Sequence, residues 1–209
     1  MLRILGKASS INVRKVLWTC AELEIPFIRE DWGAGFRSTR DPAFLALNPN
    51  AMVPVLVDGD VVLSESNTIC RYLATRYGGD GALLPREPVA RARVEQWMDW
   101  QATELNNAWR YAFMALVRRS PAHADAAQVE LGIAQWNRHM GILEGQLEKT
   151  GAYAAGAGFS LADIVLGLSL NRWLMTPMTR PADCPALHAY AELLRLRPAC
   201  RAFCLNGEP

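Results

Sequence analysis

Val53-Pro54-Val55-Leu56-Val57-Asp58-Gly59-Asp60-Val61-Val62-Leu63-Ser64-Glu65-Ser66-Asn67-Thr68-Ile69 reads as two extended runs, a tight turn between them and the start of a helix. Asp58-Gly59 is the expected two-residue turn, because both of its positions need positive φ, which Asp and Gly accept at low cost. Ser64 is the expected cap of a helix carrying Ile69, Tyr72 and Leu73 on one face. Working outward, Leu2 to Leu5 can form a short buried strand, and Val13, Val16, Leu17 and Cys20 then recur at helical spacing until Pro26 stops the pattern. Pro26-Phe27-Ile28-Arg29 resumes an extended run. Strand, helix, strand, connection, hairpin and helix in that order can build a four-stranded mixed sheet with helices packed against it.

Beyond Tyr77 the texture changes. Gly78, Gly79, Gly81, Pro85 and Pro88 form a density of breakers that no helix or central strand absorbs, and everything after Pro88 is helical in period. Periodic stretches near Val89 to Arg118, Ala124 to Lys149, Leu161 to Leu174 and Pro185 to Leu196 suit a helical bundle. The expected organisation is an α/β domain over residues 1–79, a linker over 80–87 and an all-α domain over 88–209.

Composition narrows the function classes. Lys and Arg total 22 against 21 Asp and Glu, so no broad basic field exists to drive nucleic-acid binding. No apolar run approaches the roughly 20 residues that cross a bilayer, and the opening Met1 to Leu5 passes directly into Gly6-Lys7, so neither a membrane nor a secretory route is expected. Five cysteines without a CxxC pair fit no disulfide framework or zinc site and point to reduced thiols in a cytoplasmic protein. His123, His139 and His188 are scattered without an i, i+4 pair, so no metal is expected.

Two segments can carry chemistry. Ser9-Ser10-Ile11-Asn12-Val13 places hydroxyl and amide groups where a strand gives way to a helix, and a helix start favours an anion such as a thiolate. The bland alternative is capping, since Ser and Asn are what helix starts prefer. Asn48 to Pro54, followed after the hairpin by Glu65-Ser66, leaves the Val53 backbone free to pair with an extended ligand, while Glu65 and Ser66 could receive an amino group and a carboxylate at a helix start. An edge proline followed by a capped helix explains the same residues without a ligand.

Taken together, Ser10 and Asn12, the Asn48-Pro49 to Val53-Pro54 segment, and Glu65-Ser66-Asn67-Thr68-Ile69 resemble the three glutathione-site blocks of the cytosolic glutathione transferases, in their usual order. Gly158-Phe159-Ser160-Leu161-Ala162-Asp163 resembles that family's second-domain capping motif, so the similarity spans nearly the whole chain. The resemblance implies a thioredoxin-like first domain, a cytoplasmic homodimer, and glutathione as co-substrate. Ser10 matches the thiol-activating serine of theta-like members and Asn12 the asparagine of the nu-like group. It further implies that Val53 pairs with the cysteinyl backbone, that Pro54 is a cis-proline, and that Glu65 and Ser66 hold the γ-glutamyl end. Asp99 resembles an acidic residue that reaches across the dimer. Met52 stands where many members carry a basic residue facing the glycyl carboxylate; Arg37 or Arg40 could compensate.

The expected reaction is conjugation of glutathione, held as thiolate, to a small hydrophobic electrophile. A non-catalytic glutathione-binding adaptor and a glutathione-dependent disulfide reductase remain open on the same scaffold. Trp100, Glu104, Asn107 and Tyr111 fall at i, i+4, i+7 and i+11, a mixed stripe that could line the electrophile pocket, whereas Trp97 is expected in the core. The spacing of Ser160 and Asp163 predicts a capping box that serves folding. Cys20, on an apolar helix face, is expected to be a packed thiol.

Overall fold

The computed structural model describes residues 1–207 and 209. Strands β1 (Leu2–Leu5), β2 (Phe27–Glu30), β3 (Val55–Asp58) and β4 (Val61–Leu63) form one mixed sheet in the order β2-β1-β3-β4. β1 runs parallel to β2 and antiparallel to β3, and β3 runs antiparallel to β4. Helix α1 (Ile11–Glu22) makes the crossover between β1 and β2, the short α2 (Pro42–Leu45) interrupts the connection to β3, and α3 (Ser66–Tyr77) follows the hairpin. This is the expected thioredoxin-like arrangement.

The hairpin differs from its expected register by one residue. Asp58 pairs with Val61, so the two-residue turn is Gly59-Asp60, and of these Gly59 has the positive φ of 59°. Asp58 stays in the strand because its carboxylate accepts hydrogen bonds from the hydroxyls of Tyr72 at 2.8 Å and Tyr77 at 2.6 Å. The cap of α3 also shifts by one residue, from Ser64 to Glu65.

The second half contains α4 (Pro88–Trp100), a π-helical turn (Gln101–Leu105), α5 (Asn106–Leu116), a 3-10 turn (Pro121–His123), α6 (Ala126–Thr150), α7 (Leu161–Met175), α8 (Pro185–Arg195) and α9 (Pro198–Phe203). Every residue of α1 from Val13 to Cys20 and every residue of α7 from Leu161 to Trp173 is buried. A helix without a wet face belongs inside a core, and these two helices pack on each other to make one hydrophobic interior continuous with the sheet. Gly167 permits the approach, since a Cβ there would lie 2.8 Å from Leu194 Cδ1 and 3.2 Å from Trp18 Cη2. Cys20, Cys70, Cys184, Cys200 and Cys204 are free and buried.

The capping box forms as the spacing predicts. Ser160 and Asp163 satisfy each other's backbone at the start of α7, and the Asp163 carboxylate also accepts from Ala154 N at 2.9 Å and from the Tyr190 hydroxyl at 2.8 Å. Burial raises the carboxyl's pKa above its ordinary value while those donors pull it down. Removing the carboxylate strands several buried donors together with a cap. Asp163→Ala is therefore expected to cost about 2–4 kcal/mol in urea denaturation, and Asp163→Asn less, because an amide oxygen still accepts.

Candidate functional site

The three suspected segments meet at one end of the sheet. Leu5 at the end of β1 lies opposite Val55, so Gly6 and Val53 emerge side by side. Gly6 has a φ of 152°, and a Cβ on it would fall 2.5 Å from Val13 Cγ2 and 3.1 Å from Val53 Cβ. Only glycine lets the end of β1 slip between the first turn of α1 and the segment before β3. Sequence reasoning overlooked this role, although a glycine directly after a buried strand was a visible signal.

Ser10 is the N-cap of α1 and half-buried, and its side chain makes no capping hydrogen bond. The bland account of this serine thus fails: its hydroxyl remains available to something else. Asn12, also half-buried, lies in the first turn. The peptide bond between Val53 and Pro54 is cis. The preceding loop is braced by Asn48, whose side-chain amide donates to Met52 O at 2.8 Å while its Oδ1 accepts from Asn50 N at 3.1 Å.

Glu65 opens α3 with a φ of 66°, a left-handed conformation that costs a non-glycine residue about 1–2 kcal/mol. Its side chain does not cap the helix. Ser66 behind it is buried. The α3 start is held to α1 by Lys15, whose ammonium donates to Asn67 Oδ1 at 3.1 Å. Strand end, α1 start, cis-proline segment and α3 start therefore form one constellation.

Among the described residues, no hydrogen bond or ion pair joins the side chains of the other expected residues to these groups. Met52 is 63% exposed, and Arg37 stacks on the Trp32 ring at 5.0 Å. Asp99 pairs with Arg71 of its own chain, and Arg71 and Arg91 both face Glu95, at 3.4 and 3.1 Å. The stripe from Trp100 to Tyr111 is broken by the π turn between them, which underwinds the helix and swings Asn107 and Tyr111 about a quarter turn from Trp100. Trp100 packs edge-on to Trp97 and near His139, and with Gln96 and Trp97 it borders a hollow of about 230 Å³. Glu104 is exposed, and the Tyr111 ring packs at a 60° tilt against His123, with ring centres 4.9 Å apart. Trp97 lies in the core, as expected. Burial pushes the Cys20 thiol up to about 12 and the Cys70 thiol to about 11, so both stay protonated near neutrality.

A mixed four-stranded sheet with a cis-proline ahead of β3, backed through α1 by a helical bundle, defines a thioredoxin-like domain joined to an all-helical one. Comparison with known proteins specifies the class. The profile for the glutathione S-transferase N-terminal domain matches residues 9–76, and that for the glutathione S-transferase C-terminal domain matches residues 106–198. Glutathione S-transferase GstB from Escherichia coli strain K12 is 36% identical over 203 residues, covering 96% of each chain. Glutathione S-transferase 3 from Zea mays is 34% identical over 210 residues, covering 95% of this chain and 90% of its own. Among solved structures, a theta class glutathione S-transferase from Xanthomonas axonopodis pv. citri with glutathione bound superposes with a TM-score of 0.89 at 36% identity, covering 97% of this chain and 96% of that one. The chain belongs to the glutathione S-transferase family.

The close approach at Gly6 yields a test that needs no ligand. Gly6→Ala must displace Val13 or Val53 and force an unfavourable φ, and is expected to cost about 2–4 kcal/mol in the urea midpoint at unchanged slope.

Proposed function

We propose that this protein is a glutathione transferase that holds glutathione along the cis-proline segment, stabilises its thiolate at the start of α1 and adds the sulfur to a small hydrophobic electrophile. The observation that carries this reading is that an uncommitted Ser10 hydroxyl at the start of α1, the cis Val53-Pro54 bond ahead of β3 and the left-handed Glu65 at the start of α3 lie at the same end of the sheet, where Gly6 packs against Val13 and Val53. In this arrangement the Val53 backbone pairs with the cysteinyl unit, and the α3 start with Glu65 and Ser66 receives the γ-glutamyl end.

The chemistry follows from magnitudes. A free thiol titrates near pH 8.5, and a hydrogen bond to a charged group contributes roughly 1.5–3 kcal/mol, or about one to two pK units when it favours only the thiolate. One hydroxyl or amide donor plus the positive end of α1 therefore leaves most bound glutathione ionised near neutrality. The thiol proton passes to solvent and a sulfur lone pair forms the bond to an electrophilic carbon; in a substitution the leaving group departs with its bonding pair, and in an addition the displaced π pair takes a proton from solvent. Positioning against an apolar surface supplies the rest of the rate. We place the electrophile against α5 near Asn107 and Tyr111. Trp100, turned aside by the π segment, is no longer grouped with them.

The protein is further read as a cytoplasmic, detoxifying homodimer in which the exposed Asp99 exchanges its ion pair with Arg71 for the amine of the partner's glutathione. Among the described residues no helix is long and apolar enough to cross a membrane. Val89, 59% exposed, offers apolar surface for a second copy to cover. Nothing in the site favours the adaptor or disulfide-exchange readings.

Isothermal calorimetry with millimolar glutathione is expected to show binding, and a chlorodinitrobenzene assay to show conjugation. Binding without turnover would reduce the protein to a glutathione-binding scaffold, and no binding would remove the proposal. Ser10→Ala and Asn12→Ala should lower kcat/KM unequally, by about 10- to 100-fold for the true thiolate donor; parent-like turnover in both would exclude the mechanism. Met52→Lys should tighten glutathione by up to about fivefold, the worth of one exposed ion pair, at low salt.

A further inference from the structure

One buried cation has no part in the scheme above. Lys15 is 3% exposed and sits in α1 a turn beyond Asn12. Among the described residues no ion pair includes it. Its ammonium is held by neutral oxygens alone, Asn67 Oδ1 at 3.1 Å and Gln101 Oε1 at 2.7 Å. Asn67 Nδ2 donates onward to Met98 O at 2.9 Å, and Gln101 Nε2 to Ser169 Oγ at 3.0 Å, which itself donates to Val165 O at 3.0 Å. The chain of bonds thus runs from α1 to the first turn of α3, to the end of α4 and to α7. Gln101 begins the π turn and is 1% exposed, so the helix is unwound where its side chain enters this network.

An unpaired buried ammonium is expensive, whereas an apolar side chain of the same length would fill the space without desolvating a charge. The cost has an outlet only if the charge acts on something nearby. Asn67 is the second residue of α3, and Ser66 and Glu65 precede it at the helix's positive end. A cation behind that end adds to the helix dipole where an anion would sit. We propose that Lys15 is a positioning residue for glutathione: as a buried cation it holds the α3 start through Asn67 and strengthens that start's grip on the γ-glutamyl carboxylate. The inference rests on the reading that α3 receives this end of the tripeptide.

The proposal implies a pH dependence with a definite sign. Burial is the main cause that lowers the Lys15 pKa, to about 8. The titratable groups acting on it are Cys70, Glu65 and Arg71 on α3 and Arg172 on α7. Cys70 is raised to about 11, and the Arg172 guanidinium, though burial lowers it, keeps its proton as arginines do, so of Lys15, Cys70 and Arg172 it is Lys15 that changes charge across pH 6.5–8.5. An anion that favours charged Lys15 binds fully below pH 8 and progressively less tightly as pH rises through it.

S-Methylglutathione has no thiol to titrate, and in calorimetric titrations from pH 6.5 to 8.5 the protonation of its free γ-glutamyl amine, common to parent and variants, is divided out of each profile, which leaves the effect of Lys15. A coupling of about tenfold, as expected for a charge within several ångströms in a partly dry site, predicts that the parent binds about threefold more weakly at pH 8.5 than at pH 7. Lys15→Met should bind about tenfold more weakly than the parent at pH 7 with a flat profile, and Lys15→Arg should restore affinity with a flat profile. A flat profile in the parent overturns the inference even if no variant folds, and so does a Lys15→Met profile that falls like the parent's. Failure of the parent to bind S-methylglutathione at any pH overturns the proposed glutathione site as well, which separates the two results.

Discussion

The docking of α1 against two surfaces at once is the constraint on which the molecule rests. One side of the helix covers the sheet and the other meets α7, so Val16, Leu17, Trp18 and Cys20 are shared between a core that belongs to the strands and one that belongs to the bundle. Fully burying a large apolar side chain contributes about 1.5–3 kcal/mol, so this one helix couples the two halves strongly. Its far end is clamped as well. Glu22 accepts from Trp18 Nε1 at 2.8 Å and pairs with Arg197, whose guanidinium lies 3.8 Å from the centre of the Phe159 ring. Freed from either half, α1 would expose a stripe of large apolar groups.

A helix immobilised along its length presents a rigid first turn. Preorganisation of this kind is what a binding site needs, because groups fixed before the ligand arrives lose little entropy on contact. The same logic extends to the neighbouring segments. Asn48 braces the loop before the cis-proline, β3 is paired on both sides, and Lys15 ties the α3 start to α1. The left-handed conformation of Glu65 persists because its surroundings leave it no alternative.

Much of this was legible in the residues, and the failures have physical causes. The apolar runs flanking Asp58-Gly59 revealed the hairpin, yet Asp58-Gly59 and Gly59-Asp60 are equally good turns by composition; the tyrosines at 72 and 77, remote in sequence, select the register by holding Asp58 in the strand. Ser160 and Asp163 were readable because a capping box is local. The π turn was not, since it emerges from fitting α4 and α5 to different neighbours, and it undid the stripe inferred from regular helical spacing. Arg14 and Lys15 look like solvated helix residues by type, and only the approach of the second half buries them.

Charge illustrates the same limit from the other direction. A net charge of +1 describes a nearly neutral molecule, yet Arg14, Lys15 and Arg172 are each no more than 3% exposed and act on one another across the α1–α7 contact. Arg172 is sheltered by the faces of Trp109 and Phe113, at 4.5 and 4.1 Å, an arrangement that holds a cation in an apolar interior with no carboxylate ion-paired to it among the described residues. Acidic residues are largely at the surface, where water screens them, whereas these cations are surrounded by low-dielectric packing that carries their field further. Lys15 and Arg172 thus owe their positive surroundings to the uneven depth of opposite charges rather than to their number, whereas Arg14 donates to the last residue of the chain, Pro209 O, at 2.7 Å. Lys15 lies behind the start of α3 through Asn67, where an anionic tripeptide is read to bind, and its burial against Gln101 required both halves of the chain.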